Sequence, residues 1–208
     1  MKTTHVYVDG FNLYYGCLRG TSHRWLDLAE FCRLMLPNND LQCIKYFTAR
    51  VGSRPNDPSK PERQRLYLRA LGTLPLVEVH FGHHLTHKVA MPLANPPATG
   101  SRYALVLRTE EKGSDVNLAT HLISDAYENR MDVAVLVTND SDLLAPVQLV
   151  SERLGKEVGV LNPQRHPAKA LRRASSFFKQ VRPGVLAASQ FPKEMQDVNG
   201  TFRKPATW

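Results

Sequence analysis

The run from Val133 to Asp142 constrains the fold of this chain more than any other segment. Residues 133–137 are all apolar and rich in valine, without alternation, which predicts a strand buried on both faces. Such strands form the parallel sheets of α/β folds, where ligands bind beyond the carboxyl ends of the strands. Because Asp140 and Asp142 follow the run directly, we expect both carboxylates at a ligand-binding edge.

The N-terminal segment repeats this arrangement. An apolar stretch ends at Asp9, and Gly10 then permits a sharp turn. A further acid, Asp115, follows Ser114, which we expect to cap a helix with an apolar face over residues 116–127. Each acid taken alone also fits a structural role, as a turn former, a helix-terminal charge or a cap. Their joint placement favours one shared site, where a divalent metal would hold the repelling carboxylates together.

Strand-like and helix-like segments alternate along the rest of the chain. Further strands are predicted at 42–50, 76–81, 103–108 and 157–161, and helices at 12–18, 26–36, 62–71, 142–154 and 168–173. This series predicts a mainly parallel sheet with helices on both faces. The proline-rich segment 85–102 lies between two strands and predicts an extended hairpin arm. We expect one domain over residues 1–182 and a tail over 183–208, where apolar periodicity is lost.

The charge of the chain favours a polyanionic partner. Its 208 residues carry a formal net charge of +8, although a general solubility role would also explain the excess. A polyanion bound at an acidic site would be repelled by the carboxylates, so we expect basic residues around that site. The candidates for nucleic-acid binding are Lys112, Arg50, Arg54, Arg63, Arg65, Arg172 and Arg173. Lys112 fits either a cation facing the scissile phosphate or a solvated loop lysine.

Several classes of protein are disfavoured. The three cysteines form no CxxC pair, which argues against a disulfide framework or a zinc ribbon. No glycine-rich dinucleotide or P-loop motif is present, so we expect no nucleotide cofactor. Without a secretory signal or a membrane-length apolar stretch, the expected location is cytoplasmic, with no membrane partner. The histidines at positions 80, 83, 84 and 87 leave three alternatives open: a zinc site, an RNA-contacting arm, or solvated side chains.

Three motifs in order resemble the NYN domain, a family of the PIN-like nuclease superfamily that includes LabA-like bacterial proteins. The motifs are Val8–Asn12, Lys112–Val116 and Thr138–Leu143. The resemblance implies a Rossmann-like PIN-type three-layer fold and a metal-dependent ribonuclease site. It places the family's acidic positions on Asp9, Asp115, Asp140 and Asp142, and its polar position on Asn12. Where the family usually carries Ser-Gly-Asp, this chain has Thr138-Asn139-Asp140; since Asn tolerates left-handed backbone angles, we expect the turn to survive.

The function expected from sequence is a Mg²⁺- or Mn²⁺-dependent endoribonuclease. Asp9 and Asp140 are expected as direct metal ligands, with Asp115 and Asp142 completing the shell or orienting the attacking water. Asn12 would hydrogen-bond a phosphate oxygen or a metal-bound water. The rival hypothesis is a non-catalytic RNA-binding or regulatory module that keeps the fold. The sequence leaves the oligomeric state open, with a homo-oligomer among the alternatives.

Overall fold

The fold is built around a seven-stranded sheet. The computed structural model describes residues 1–53 and 55–208. The sheet has the order β4-β3-β2-β1-β5-β6-β7, and its neighbours pair in parallel except β3 with β4. Its strands are β1 (Lys2–Asp9), β2 (Asn39–Ala49), β3 (Val77–Pro92), β4 (Tyr103–Lys112), β5 (Val133–Val137), β6 (Glu157–Asn162) and β7 (Phe177–Gln180). This is the mainly parallel sheet that the alternating pattern predicts.

Helices cover both faces of the sheet. They are α1 (Gly10–Leu13), α2 (Leu28–Met35), α3 (Lys60–Leu71), α4 (Ser114–Tyr127), α5 (Leu144–Gln148), α6 (Lys169–Ala174) and α7 (Pro183–Ala188). A π-helical turn, Tyr14–Leu18, continues α1. A 3₁₀ turn, Ser141–Leu143, precedes α5, and a π-helical turn, Leu149–Arg153, follows it. Within the part of the chain described, no helix has the length and apolarity needed to cross a bilayer.

Successive side chains of the central strands point to opposite faces and build two apolar layers. Val6 and Val8 pack on the side of α1, α2 and α3. Tyr7 and Leu136 pack on the side of α4, α5 and α6. Because every residue of β5 is buried, the strand predicted from the valine-rich run is confirmed, and it fixes the three-layer arrangement.

The hairpin arm is formed by β3 and β4. These strands pair from His83 with Lys112 out to Pro92 with Tyr103. Strand β3 therefore continues well beyond the predicted end of its strand. Leu105 and Leu107 remain exposed on the arm. Strand β3 pairs with β2 over six residues, and beyond them the arm extends away from the three-layer core.

The segment after residue 182 is not a tail. It contains α7 and a hairpin of β8 (Glu194–Asp197) with β9 (Gly200–Arg203). Phe191 and Phe202 pack edge-on against the fully buried Trp25, whose indole nitrogen donates to the Pro192 carbonyl at 2.9 Å. The segment shows no apolar periodicity because its buried residues come from one helical turn, an irregular stretch and a short hairpin.

Candidate active site

Four carboxylates and two amides meet at the carboxyl edge of the sheet. The ends of β1, β5 and β6 lie side by side there, since these strands are parallel neighbours. We call the resulting hollow the acidic depression. Its lining comprises Asp9, Phe11, Asn12, Tyr15, Glu111, Asp115, Asp140 and Gln164. The structure therefore brings together three of the four predicted aspartates and Asn12, while Asp142 lies outside this lining.

Asp9 is the buried floor of the acidic depression. It is 6% exposed. One oxygen caps α1 by accepting from the Asn12 backbone N–H at 2.9 Å, and the other accepts from the Thr138 hydroxyl at 3.2 Å. Burial raises the pKa of Asp9 to about 6; the charges of Asp115 and Asp140 act in the same direction, and the hydrogen bonds only partly offset them. No cationic side chain of residues 1–53 and 55–208 forms an ion pair with this carboxylate.

The turn after Asp9 needs a glycine. A Cβ atom at Gly10 would lie 2.6 Å from the ring of Tyr46 and 2.8 Å from the Phe47 carbonyl. Helix α1 therefore starts in direct contact with β2. This close approach places Phe11 and Asn12 at the mouth of the depression.

Asp140 lies at the start of the 3₁₀ turn that follows β5. Its Oδ1 accepts from the Asp142 backbone N–H at 2.9 Å, and its own N–H donates to the Thr138 hydroxyl at 3.1 Å. Its Oδ2 makes no hydrogen bond to any described residue. Asp142 is exposed one turn further on, close enough for its charge to help raise the pKa of Asp115. Asp140, not Asp142, is therefore the cap at this helix start.

Asp115 occupies the first turn of α4, as the sequence predicts. Burial raises its pKa, and the charges of Asp140, Glu111 and Asp142 raise it further. Its carboxylate accepts no hydrogen bond within residues 1–53 and 55–208. The predicted cap was wrong: Gly113, with φ of 95°, precedes the helix, and Ser114 is its first residue. Only glycine adopts that backbone conformation readily, so the helix start is fixed by backbone geometry rather than by a serine cap.

Glu111 is a site residue that the sequence reasoning missed. Its Oε1 accepts from both the backbone N–H and the hydroxyl of Ser114, at 3.1 and 2.6 Å. It thereby caps α4 from the end of β4. A carboxylate three residues before the first helical residue was the available signal. The sequence alone did not place Glu111 beside α4, because β4 belongs to the arm and the sequence does not specify the register in which the arm's strands pair.

Side-chain amides link the ends of β1, β5 and β6 through Asn12, Asn139 and Gln164. The Asn12 side-chain oxygen accepts from the Asn139 backbone N–H at 3.1 Å and from the Gln164 amide at 3.5 Å. The Asn139 side chain donates to the His166 carbonyl at 2.9 Å and accepts from the Ala168 N–H at 2.7 Å. Asn139 is not left-handed, since Asn129 is the one such non-glycine among the described residues. The expected reason for tolerating asparagine here was therefore wrong; its side chain fastens the loop before α6.

The predicted basic residues do not line the acidic depression. Lys112 pairs with Glu110 at 3.3 Å, and Arg65 pairs with Glu62 on its own helix. The remaining described candidates lie elsewhere. Arg50 stacks over Phe81, Arg63 pairs with Asp57, Arg172 stacks over Phe178, and Arg173 is exposed on α6. Arg54, also a candidate, lies outside the described residues.

The histidines of β3 do not form a ligand set. Alternation along the strand places His80 and His84 on one face and His83 and His87 on the other. The His80 ring stacks on Phe47 and contacts the His121 ring, with centroids 5.0 and 4.2 Å apart. Among the described residues, no three His, Cys, Asp or Glu side chains are close enough to enclose a metal ion by themselves. The zinc alternative therefore has no support, and the carboxylates alone do not form a closed cage.

The acidic depression nevertheless has the donor chemistry of a hard divalent ion. Its donors are carboxylate and amide oxygens, and Asp115 and Asp140 both keep carboxylate oxygens without protein partners among the described residues. Mg²⁺ binds through one or two carboxylates and keeps several waters, so it needs no closed protein cage. The donor set therefore fits Mg²⁺ or the similar Mn²⁺.

A second hollow, the aromatic pocket, adjoins the acidic depression and shares Phe11 and Tyr15 with it. The pocket has about 620 Å³ of unoccupied space, counted out to its open mouth. Its other aromatic residues are Tyr14, Tyr46, Tyr67 and Trp208, and its cations are Arg24, Lys60 and Arg63. The acidic and the basic side chains thus lie in separate, neighbouring hollows.

Known proteins resemble this chain in sequence and in fold. The enzyme 6-hydroxy-3-succinoylpyridine 3-monooxygenase from Pseudomonas putida is 32% identical over 237 residues, covering 99% of this chain and 75% of that protein. A protein of unknown function from Vibrio parahaemolyticus shares the fold with a TM-score of 0.57 at 20% identity, over 88% of this chain and 94% of that one. The NYN domain model matches residues 3–181. This chain therefore belongs to the NYN domain family, whose members are PIN-like and generally nuclease-like.

Proposed function

We propose that this chain is a divalent-metal-dependent endoribonuclease that cleaves RNA at the acidic depression. The observation that carries the proposal is that Asp115, Asp140 and the buried Asp9 line one hollow. Two of these carboxylates keep oxygens without hydrogen-bond partners in the described part of the chain. Burial raises the pKa of Asp9 and Asp115, and repulsion from the neighbouring carboxylates raises both further. Such a cluster is stabilised by a cation, and family membership makes nuclease chemistry the first use for it.

The residues divide into ligands and positioning groups. Asp9, Asp115 and Asp140 would hold Mg²⁺ or Mn²⁺, and the exposed Asp142 would orient the attacking water. When bound, such an ion lowers the pKa of a water molecule and offsets the negative charge that grows on the phosphate. The Asn12 oxygen is occupied by Asn139, so its amide N–H groups are the atoms left to donate to a phosphate oxygen.

RNA would be held by basic residues that lie outside the lining of the depression. The chain has a net charge of +8 although the depression itself carries four acids. Lys112 and Arg50, together with Arg63, Arg65, Arg172 and Arg173, are the proposed phosphate contacts. Because each phosphate contact releases counterions from the RNA, affinity should fall steeply as salt rises. Affinity that stays constant between low and physiological salt would contradict this assignment.

A cleavage assay tests the proposal. Labelled single-stranded and structured RNAs are incubated with Mn²⁺, Mg²⁺ or EDTA, using the parent protein, Asp140→Asn and Asp40→Asn. Asp40 lies at the start of β2, at the opposite edge of the sheet, so its variant controls for loss of one acidic charge. We expect cleavage by the parent and by Asp40→Asn only with a divalent ion, and none by Asp140→Asn.

Two results would overturn this function. If Asp140→Asn cleaves as well as the parent, the acidic depression is not the active site. If neither protein cleaves RNA while both bind it, the non-catalytic RNA-binding module becomes the better description.

A second candidate function is oxygenation of a small aromatic compound. It is favoured by the Pseudomonas putida monooxygenase, because that similarity extends over 99% of this chain and includes the segment that carries Trp208. In such a reaction one atom of O₂ enters the substrate and the other leaves as water, with two electrons supplied by an external two-electron reductant. The test is substrate-dependent oxygen consumption with 6-hydroxy-3-succinoylpyridine and NADH. No consumption above the rate without substrate would exclude this compound.

A further inference from the structure

We propose that the aromatic pocket binds a planar aromatic ring carrying an anionic group. This site goes beyond the nuclease proposal, because it lies beside the acidic depression and needs neither a metal nor cleavage. The ligand would be a nucleotide of an RNA strand or a free aromatic acid, which share this chemistry. Three features of the pocket support such a ligand: its aromatic walls, its cations and its position beside the acidic depression.

The walls of the pocket suit a flat ring. The Tyr14 and Tyr15 rings meet edge to face with centroids 5.2 Å apart, and the Tyr67 and Trp208 rings lie 5.9 Å apart on another side. Aromatic rings prefer offset-stacked or edge-to-face neighbours, which these walls offer to a ring entering between them. The hollow is open to solvent on one side, so a ring could enter between these walls without displacing them.

Much of this wall is preformed by core packing. Tyr67 is buried and its hydroxyl donates to the Leu26 carbonyl at 2.9 Å. Trp208 packs against both Tyr67 and the buried Trp25. The folded segment after residue 182 therefore supplies one side of the pocket. A ligand would find these rings already in place and would order little of the protein on binding.

The cations of the pocket call for an anion. Arg24 donates from Nε to the Thr21 carbonyl at 2.9 Å and from Nη2 to the Thr207 carbonyl, and its guanidinium lies 5.8 Å from the Trp208 ring centre. No described carboxylate lies within ion-pair distance of it. Arg63, in contrast, holds Asp57 through two hydrogen bonds of 2.7 and 2.6 Å. Arg24 is thus a positioned cation with no ion-pair partner among the described carboxylates, and Lys60 also lines the pocket.

The position of the pocket allows both sources of ligand. Because Phe11 and Tyr15 line both hollows, an RNA strand with a phosphate in the acidic depression would bring a neighbouring nucleotide to the pocket. Stacking on aromatic side chains tolerates any base, since every base has a π-face. A free aromatic acid would fill the same pocket with its carboxylate near Arg24.

Calorimetric titration in EDTA tests the site on the whole chain. The probes are 5′-UMP and 6-hydroxynicotinate, which have both a ring and an anion; the controls are uridine, which lacks the anion, and ribose 5-phosphate, which lacks the aromatic ring. We expect at least one of the first two to bind, and each control to bind at least about tenfold more weakly. The tighter of the two probes identifies the source of the ligand.

Variants locate the binding. Tyr14→Ala removes one wall and Arg24→Gln removes the unpaired charge while keeping a hydrogen-bonding side chain. Arg33→Gln is the matched control, because Arg33 is exposed on α2 and pairs only with Glu30 of its own helix among the described residues. We expect about tenfold or greater loss of affinity for the first two variants and none for the control.

The proposal is overturned if neither ring-bearing anion binds, if a control probe binds equally well, or if both pocket variants bind like the parent. Thermal unfolding confirms that each variant is folded before titration. These titrations involve neither a metal nor RNA cleavage. A protein that does not cleave RNA can therefore still bind the probes, and a protein that cleaves RNA can fail to bind them.

Discussion

Replacing Asp125 with asparagine should destabilise the protein strongly, because this residue anchors the helix that presents Asp115. Asp125 lies near the end of α4 and is 2% exposed. Its Oδ2 accepts from Lys45 Nζ at 2.5 Å on β2 and from the Tyr7 hydroxyl at 2.8 Å on β1. Lys45 is itself only 5% exposed. The ion pair therefore joins α4 to the two strands beneath it.

The electrostatics of Asp125 set the size of the effect. Burial alone would raise its pKa, but hydrogen bonds from His5, Lys45 and Tyr7 outweigh burial and hold its pKa well below the usual range. Asp125→Asn leaves the Lys45 ammonium buried without a counter-charge, a change that costs about 3–5 kcal/mol in comparable cases. At ~2–4 °C per kcal/mol for a domain of this size, the melting temperature should fall by about 6–20 °C.

Chemical denaturation of the parent, Asp125→Asn, Lys45→Met and the double variant Lys45→Met/Asp125→Leu measures these costs. The double variant should recover most of the loss, since replacing both charges by apolar groups leaves no unpaired charge. The pKa of Asp125 is lower in the folded protein than in the unfolded chain. Its stabilising effect is therefore fully present above the unfolded pKa, near 3.9, and is lost as pH falls from there through the folded pKa. A cost below about 1 kcal/mol for the single variant, or no recovery in the double, would refute this reasoning.

Two further changes test the site and the folded segment after residue 182. Asp9→Asn should raise the melting temperature of the metal-free protein at pH 7. The pKa of Asp9 is raised to about 6 in the folded protein, so its ionisation costs stability as pH rises from the unfolded pKa, near 3.9, to 6. This cost reaches up to ~3 kcal/mol, and the gain from the substitution should therefore shrink towards pH 4. A gain that stays constant with pH would point to another cause. Phe202→Ala, at a buried ring 4.2 Å from the Arg69 guanidinium, should cost about 3–5 kcal/mol, whereas Arg203→Ala on the exposed side of the same strand should cost under ~0.5 kcal/mol. Equal effects on urea unfolding would mean that the hairpin does not contribute to the core.

The parts of the site that follow strands were predictable, and the parts fixed by long-range geometry were not. Asp9 and Asp140 end apolar strands, so their common edge follows from the parallel sheet alone. Glu111 and Gln164 joined the depression only through the register of the arm and the loop after β6. The role of Trp208 was invisible for a similar reason, because a single aromatic residue in an aperiodic segment gives no pattern that indicates what it packs against.

Asn139 offers the sharpest test of how this chain departs from its family's usual motif. Replacing it with glycine restores the family's residue but removes two side-chain hydrogen bonds, to His166 and Ala168, that fasten the loop before α6. Since Asn139 does not adopt left-handed angles, glycine relieves no strain there, and we expect a loss of about 2–3 kcal/mol. Asn129→Gly is the matched control: it removes one exposed hydrogen bond, from Lys156 Nζ, and relieves a left-handed backbone with φ of 57°, so it should be neutral or stabilising. Urea unfolding of both variants decides the matter, because a neutral Asn139→Gly would mean that its side-chain bonds contribute nothing and that backbone conformation alone governs this position.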